Sequence, residues 1–126
     1  PMKNLVLTLS LLAGPALAEN DICAEFGRLA EYSMNARLSG APFSSVFGRL
    51  KEEVQDLGED IRNMQNRLQI PQDQRNDLAE YALAFARRTY EEPRSSGDED
   101  QRTVAIDFRN KVEMECYTEI GDAVAP

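Results

Sequence analysis

Two cysteines, Cys23 and Cys116, are the first residues in this 126-residue chain whose type and spacing imply chemistry. They stand 93 positions apart, near the two ends. An even cysteine count in a short exported chain reads as a structural disulfide. With only two cysteines, an intramolecular bond has one pairing. A redox pair would call for a C-x-x-C motif or an activated thiolate, and neither is visible. In the chain-entropy view, closing so long a loop stabilises by about 4–5 kcal/mol. That is a large share of the stability of a domain of this size.

Carboxylates come next. Glu52, Asp56 and Asp60 recur every four residues. Two acids flanking a glycosidic bond can act as general acid and nucleophile, provided their surroundings push their pKa values apart. Here they fall opposite an apolar seam, which reads as a solvated face. Asp98-Glu99-Asp100 lacks the alternating ligands, glycine and distant glutamate of a calcium loop. Acids at a helix start follow from the helix dipole alone. Arg87, Arg88 and Arg94 lie among Glu91 and Glu92, which points to local ion pairing.

Composition removes several function classes. The chain has no histidine, so histidine metal sites and histidine general bases are absent. Ser44, Ser45, Ser95 and Ser96 have no histidine to activate them and no G-x-S-x-G elbow. No glycine loop cradles a phosphate. Twenty-two acids against 14 bases give a net charge of −8, the wrong sign for a nucleic-acid binder. No cofactor and no metal are expected.

The start of the chain carries a targeting pattern. Lys3 is a short basic start, residues 5–12 form an apolar run, and Ala16-Leu17-Ala18 is a small-x-small cleavage site. Residues 1–18 therefore read as a secretory signal that is removed. The run is shorter than the 18 or so apolar residues that span a bilayer. Residues 19–126 form the expected mature domain. It is periplasmic or secreted, without stable membrane insertion. Losing Lys3 and no acid moves its net charge from −8 to −9.

Four helices must position these residues. The first starts at Asn20 or Asp21, carries Ile22, Phe26, Leu29, Ala30 and Ser33 on one face, and ends near Leu38 or Ser39 before Gly40 and Pro42. The second starts at Ser44 or Ser45. Phe47, Leu50, Val54, Leu57, Ile61, Met64 and Leu68 then make a strict a/d seam, with Gly58 as its weak point. That seam either faces the inside of a bundle or makes a homodimer. Pro71 opens the third helix, which Pro93 stops. Residues 94–98 are a polar loop, and the fourth helix runs from about Asp100 to Tyr117. The fold class is all-α: an up-and-down bundle of about four helices. Antiparallel packing brings the first helix's start beside the fourth helix's end, where the two cysteines fall.

Two sequence blocks carry a resemblance. One is Arg37-Leu38-Ser39-Gly40-Ala41-Pro42-Phe43-Ser44. The other is Thr89-Tyr90-Glu91-Glu92-Pro93, followed by Ala105-Ile106-Asp107-Phe108 and Cys116-Tyr117. Together they resemble a loose, uncharacterised group of small exported two-cysteine helical proteins, frequent in bacterial phages and prophages. The stretch 45–88 lies outside the resemblance. It implies a periplasmic helical protein linked to phages, and no catalytic residues.

The leading expectation is a non-enzymatic binding or regulatory protein with a basic protein partner. A lysis regulator, an inhibitor of a lytic enzyme and an immunity-type protein all fit. Arg37, Phe43 and Tyr117 are the candidate partner contacts, because Arg and aromatic residues anchor interfaces. Two alternatives remain. One is a small carboxylate-based cell-wall hydrolase using Glu52, Asp56 or Glu113. The other is a structural or chaperone-like dimer joined through the second helix.

Overall fold

The computed structural model describes residues 21–94 and 99–124, with side chains to residue 120. The predicted signal at 1–18, Asn20, and loop residues 95–98 with Asp98 lie outside the described residues. Among the described residues there are five α-helices: α1 (Ile22–Leu38), α2 (Phe43–Asp56), α3 (Gly58–Arg67), α4 (Leu78–Glu91) and α5 (Gln101–Val124). A single 3-10 turn, Gln72–Gln74, precedes α4, and no strand occurs among the described residues. None of these helices is long and apolar enough to cross a membrane.

Helix α1 begins as expected. Asp21 caps it by accepting a hydrogen bond from Ala24 N at 3.0 Å. Its end follows the residue types too. Gly40 takes a left-handed φ of 96°, while Gly40 N donates to Arg37 O and Ala41 N to Ala36 O, both at 2.9 Å. This pairing is the Schellman closure, which needs a residue tolerant of positive φ.

The second predicted helix is two helices. The chain bends at Leu57, which ends α2 and precedes Gly58, the first residue of α3. The bend keeps the seam inside: Leu50, Val54, Leu57, Ile61 and Met64 are all buried in the protein's own core. A helix without interruption would drift away from that core, and Gly58 lowers the cost of the break. The start of α2 is also earlier than expected. It begins at Phe43 with Pro42 at the cap position, and neither Ser44 nor Ser45 provides a side-chain cap.

Pro71 does not open the third predicted helix. It is extended and precedes the 3-10 turn, whereas α4 starts seven residues later at Leu78. A reciprocal capping box makes that start: Asp77 accepts from Glu80 N, and Glu80 accepts from Asp77 N, both at 2.9 Å. Just past the end of α3, Gln69 takes a φ of 57°, with Ile70 N donating to Gln65 O at 3.1 Å. A non-glycine residue there carries a local strain of about 1 kcal/mol. Helix α5 starts where predicted, since Asp100 accepts from Thr103 N at 2.7 Å. It continues past Tyr117 and Gly121 to Val124, and Ile120 packs on the core.

Helix α1 lies at the centre, with contacts to all four other helices, and its most extensive contact is with α5. The two run antiparallel: the cysteines bond at one end, Arg109 meets Glu31 at 2.8 Å in the middle, and Gln101 donates to Asn35 O at the other end. The Cys23–Cys116 disulfide spans a Cα–Cα distance of 5.5 Å, within the ordinary range for such a bond. Helices α2 and α4 form the second extensive pair. The core contains Leu29, Ala30 and Met34 of α1, Val46 and Leu50 of α2, Ala82 and Ala86 of α4, and Ala105 and Phe108 of α5. Small residues at Ala30, Ala82, Ala86 and Ala105 let backbones approach closely.

Gly27 makes the closest of these approaches. It is buried in mid-α1, directly beneath the side chain of Glu113. A Cβ placed there would lie 2.7 Å from Glu113 Cδ and nearer still to its Cγ and Oε2. Glu113 is held in place by Arg109 Nε at 2.7 Å. Gly27→Ala is therefore expected to destabilise the fold by about 1–3 kcal/mol through overpacking. In a Glu113→Ala background the same change should instead stabilise, by up to about 1 kcal/mol of helix propensity. Urea unfolding of the four proteins of that cycle measures it. A stabilising Gly27→Ala in the parent would contradict the packing.

Candidate docking surface

The first sequence block meets the Thr89–Pro93 part of the second at one end of the molecule. Arg37, in the last turn of α1, donates through Nη1 to Thr89 O at 2.7 Å and Glu92 O at 2.8 Å. These carbonyls lie at the C-terminal end of α4, where backbone acceptors lack helical partners and a cation is favoured. The guanidinium also lies 5.7 Å from the Tyr90 ring centre. Tyr90 donates its hydroxyl to Ala41 O, and Phe43 packs edge-on against it at 5.5 Å. Burial pushes the Tyr90 hydroxyl up from its ordinary value, against the opposing pull of Arg37. The α1–α2 turn is thereby locked to the end of α4. Arg37 and Phe43 are both half-buried in this cluster.

Tyr117 lies at the opposite end. Its hydroxyl donates to Asp21 Oδ2, while Asp21 Oδ1 caps α1. One carboxylate thus joins the start of α1 to α5 beside the disulfide. The Tyr117 ring remains 39% exposed. Arg37 and Phe43 sit at one end and Tyr117 at the other, so the three predicted contacts do not form one patch.

Charge is distributed unevenly. Arg28, Arg49, Arg87, Arg88, Arg109 and Lys111 each form ion pairs with the protein's own carboxylates. Arg37 and Arg75 donate to backbone carbonyls. Glu52, Asp56, Glu59, Asp73, Asp107 and Glu119 are exposed and form no ion pair with a described residue. The surface is acidic because acids outnumber bases, 22 to 14, and these carboxylates lie outside the ion pairs. Glu52 and Asp56 stand on the outer side of α2, away from any apolar enclosure, and Glu113 is held by Arg109 across Gly27. Asp100 is engaged at the α5 start, and the Thr103 amide holds its carboxyl below the usual range. Among the described residues no acidic or cysteine cluster could hold a metal ion.

A groove of about 440 Å³ opens between α4 and α5. Phe26, Met64, Ile70, Ala84, Cys116 and Ile120 are among the residues that line it. Helices α4 and α5 are linked across it by Arg88, which grips Glu115 bidentately at 2.6 and 2.8 Å. That grip holds the Glu115 carboxyl below its ordinary range. Sequence reasoning missed this groove. Ile70 reaches it only through the tight end of α3, and Ile120 only because α5 continues past Tyr117. The Asp77–Glu80 spacing was the one available signal for the late start of α4.

Scans of protein-family models, curated proteins and solved structures each return no match to this chain.

The Tyr117 contact has a pH signature. Burial, the hydrogen bond to Asp21 and the negative charges of Asp21 and Glu113 push its hydroxyl up to about 12. An unfolded tyrosine ionises near 10. The neutral form is favoured in the fold, so the stabilisation is complete below pH 10 and fades as pH rises towards 12. Ultraviolet titration should show one of the four tyrosines ionising near pH 12, and Tyr117→Phe should remove that step. A titration of all four near pH 10 would contradict the contact.

Proposed function

We propose that this protein is an exported, non-enzymatic docking protein that recognises a basic protein partner. The observation that supports it most directly is the charge layout. Six cations are engaged in internal ion pairs, while Glu52, Asp56, Glu59, Asp107 and Glu119 on α2, α3 and α5 face outward without an ion pair to a described residue. Such a surface accelerates encounter with a basic protein and repels acidic ones, including nucleic acid and anionic lipid. The sequence pattern of residues 1–18 supports export, and a disulfide suits an oxidising compartment.

In this reading the domain is an up-and-down bundle of four struts, the second made of α2 and α3. Contacts support the directions. Arg28 meets Glu53 while Tyr32 meets Arg49, and Phe43 meets Tyr90 while Gly58 meets Leu78. The role belongs with phage-linked lysis regulators, inhibitors of lytic enzymes or immunity-type proteins. A hydrolase would require a carboxyl in an apolar pocket, whereas Glu52 and Asp56 stand in solvent. A dimer through the second strut would lack its seam, because those residues form the protein's own core.

Two measurements test the reading. Intact mass of exported protein should begin at Glu19 and be two hydrogens light. Unprocessed material with two free thiols would count against export and the bond together. Affinity capture from a periplasmic extract should return one dominant basic protein that is released as salt rises. Recovery of none at low salt, or of an acidic protein held regardless of salt, would overturn the docking role.

A further inference from the structure

We propose that the groove between α4 and α5 is the docking site for a cationic amphipathic helix of the partner. This inference rests on the docking role above and adds its location and ligand chemistry. The groove's size falls within the range of ligand clefts, about 300–1,000 Å³. Its interior is largely apolar and aromatic, with the Phe26 ring in contact with those of Tyr81 and Phe85. A helix lays apolar anchors into such a groove at i, i+3, i+4 and i+7.

Charge at the edge selects among occupants. Arg88 is neutralised by its bidentate grip on Glu115, so it offers no free cation. Glu119 stands exposed in the α5 lining without an ion pair to a described residue, so beside the neutral Arg88–Glu115 pair the lining keeps one net negative charge. Lysine or arginine flanking the apolar face of an incoming helix meets this carboxylate. A second copy of this chain would bring a like charge of −8 to the same edge.

The disulfide preserves the groove's shape. Cys116 lines it, and its bond to the fully buried Cys23 holds α5 against α1. Without that bond, α5 would lose its covalent anchor at the end where Ile120 stands.

The test uses the oxidised chain and a synthetic Leu/Lys peptide with leucines at i, i+3, i+4 and i+7. Amide NMR shifts should cluster at Met64, Ala84, Val112 and Ile120. Ala84→Arg places a cation in the groove lining and should weaken binding by roughly tenfold. Glu119→Gln, which changes charge by the same amount at the edge, should also weaken it. Glu52→Gln makes that charge change far from the groove and should leave affinity within about twofold. Circular dichroism checks that the variants fold; Ala84 and Glu119 are exposed helix positions. Equal loss with Glu52→Gln would overturn the groove and leave the charge-based docking role standing. Equal binding of a Leu/Glu peptide, or no binding at low salt, would overturn the groove, whereas periplasmic capture decides the docking role separately. Conversion of the chain to a dimer with its interface on Ala84 would overturn it in favour of self-association.

Discussion

The close antiparallel contact of α1 and α5 is the constraint on which the rest of the structure depends. It is covalent at one end, through Cys23 and Cys116. Arg109 bridges Glu31 and Glu113 across its middle, and Gly27 makes room for that bridge. Once the two helices are fixed, α1 offers its remaining faces to α2, α3 and α4. This explains an oddity of α1. Ser33 is buried although it is polar, because neighbours surround the helix on several sides. Ser33 satisfies its hydroxyl by donating to Leu29 O at 2.8 Å, so burial leaves no orphaned group.

The clamp also organises the electrostatics. A chain with surplus acid folds more easily if its few cations neutralise carboxylates at helix contacts. Arg28 joins α1 to α2, Arg88 joins α4 to α5, and Arg109 joins α5 to α1. Individual exposed pairs stabilise by at most about 1 kcal/mol. Each pair engages a carboxylate along with a cation, so the chain's surplus of acid stays at the surface, where Glu52 and Asp56 stand in solvent.

Much of this was legible along the chain. The apolar spacing of residues 22–38 and 101–117 identified two helices, and the cysteine positions matched their antiparallel pairing. Asp21 as a cap and Gly40 as a left-handed closure followed from residue type, because capping and positive φ are local properties. The a/d seam correctly marked an inward face but not the bend at Leu57, since periodicity continues through a bend that keeps the same residues inside. Pro71 misled for a related reason: proline suits the first turn of a helix, but it equally suits an extended residue before a short turn. The interface roles expected of Arg37, Phe43 and Tyr117 rested on residue type. Their internal contacts depend on Thr89, Tyr90 and Asp21, far away in sequence.

By itself, then, the sequence determined the helical class, the surplus of acid, the lack of histidine chemistry and the two ends a disulfide could join. All of these depend on composition or on contacts within a few residues. Tertiary structure decided the ion pairs that join different helices, such as Arg28–Glu53, Arg88–Glu115 and Arg109–Glu31, because these depend on distances between helices. It also decided that the α1–α2 turn locks onto the end of α4 and that a groove opens between α4 and α5. A groove is the space left between packed elements, and that space depends on helix separations that no local pattern encodes.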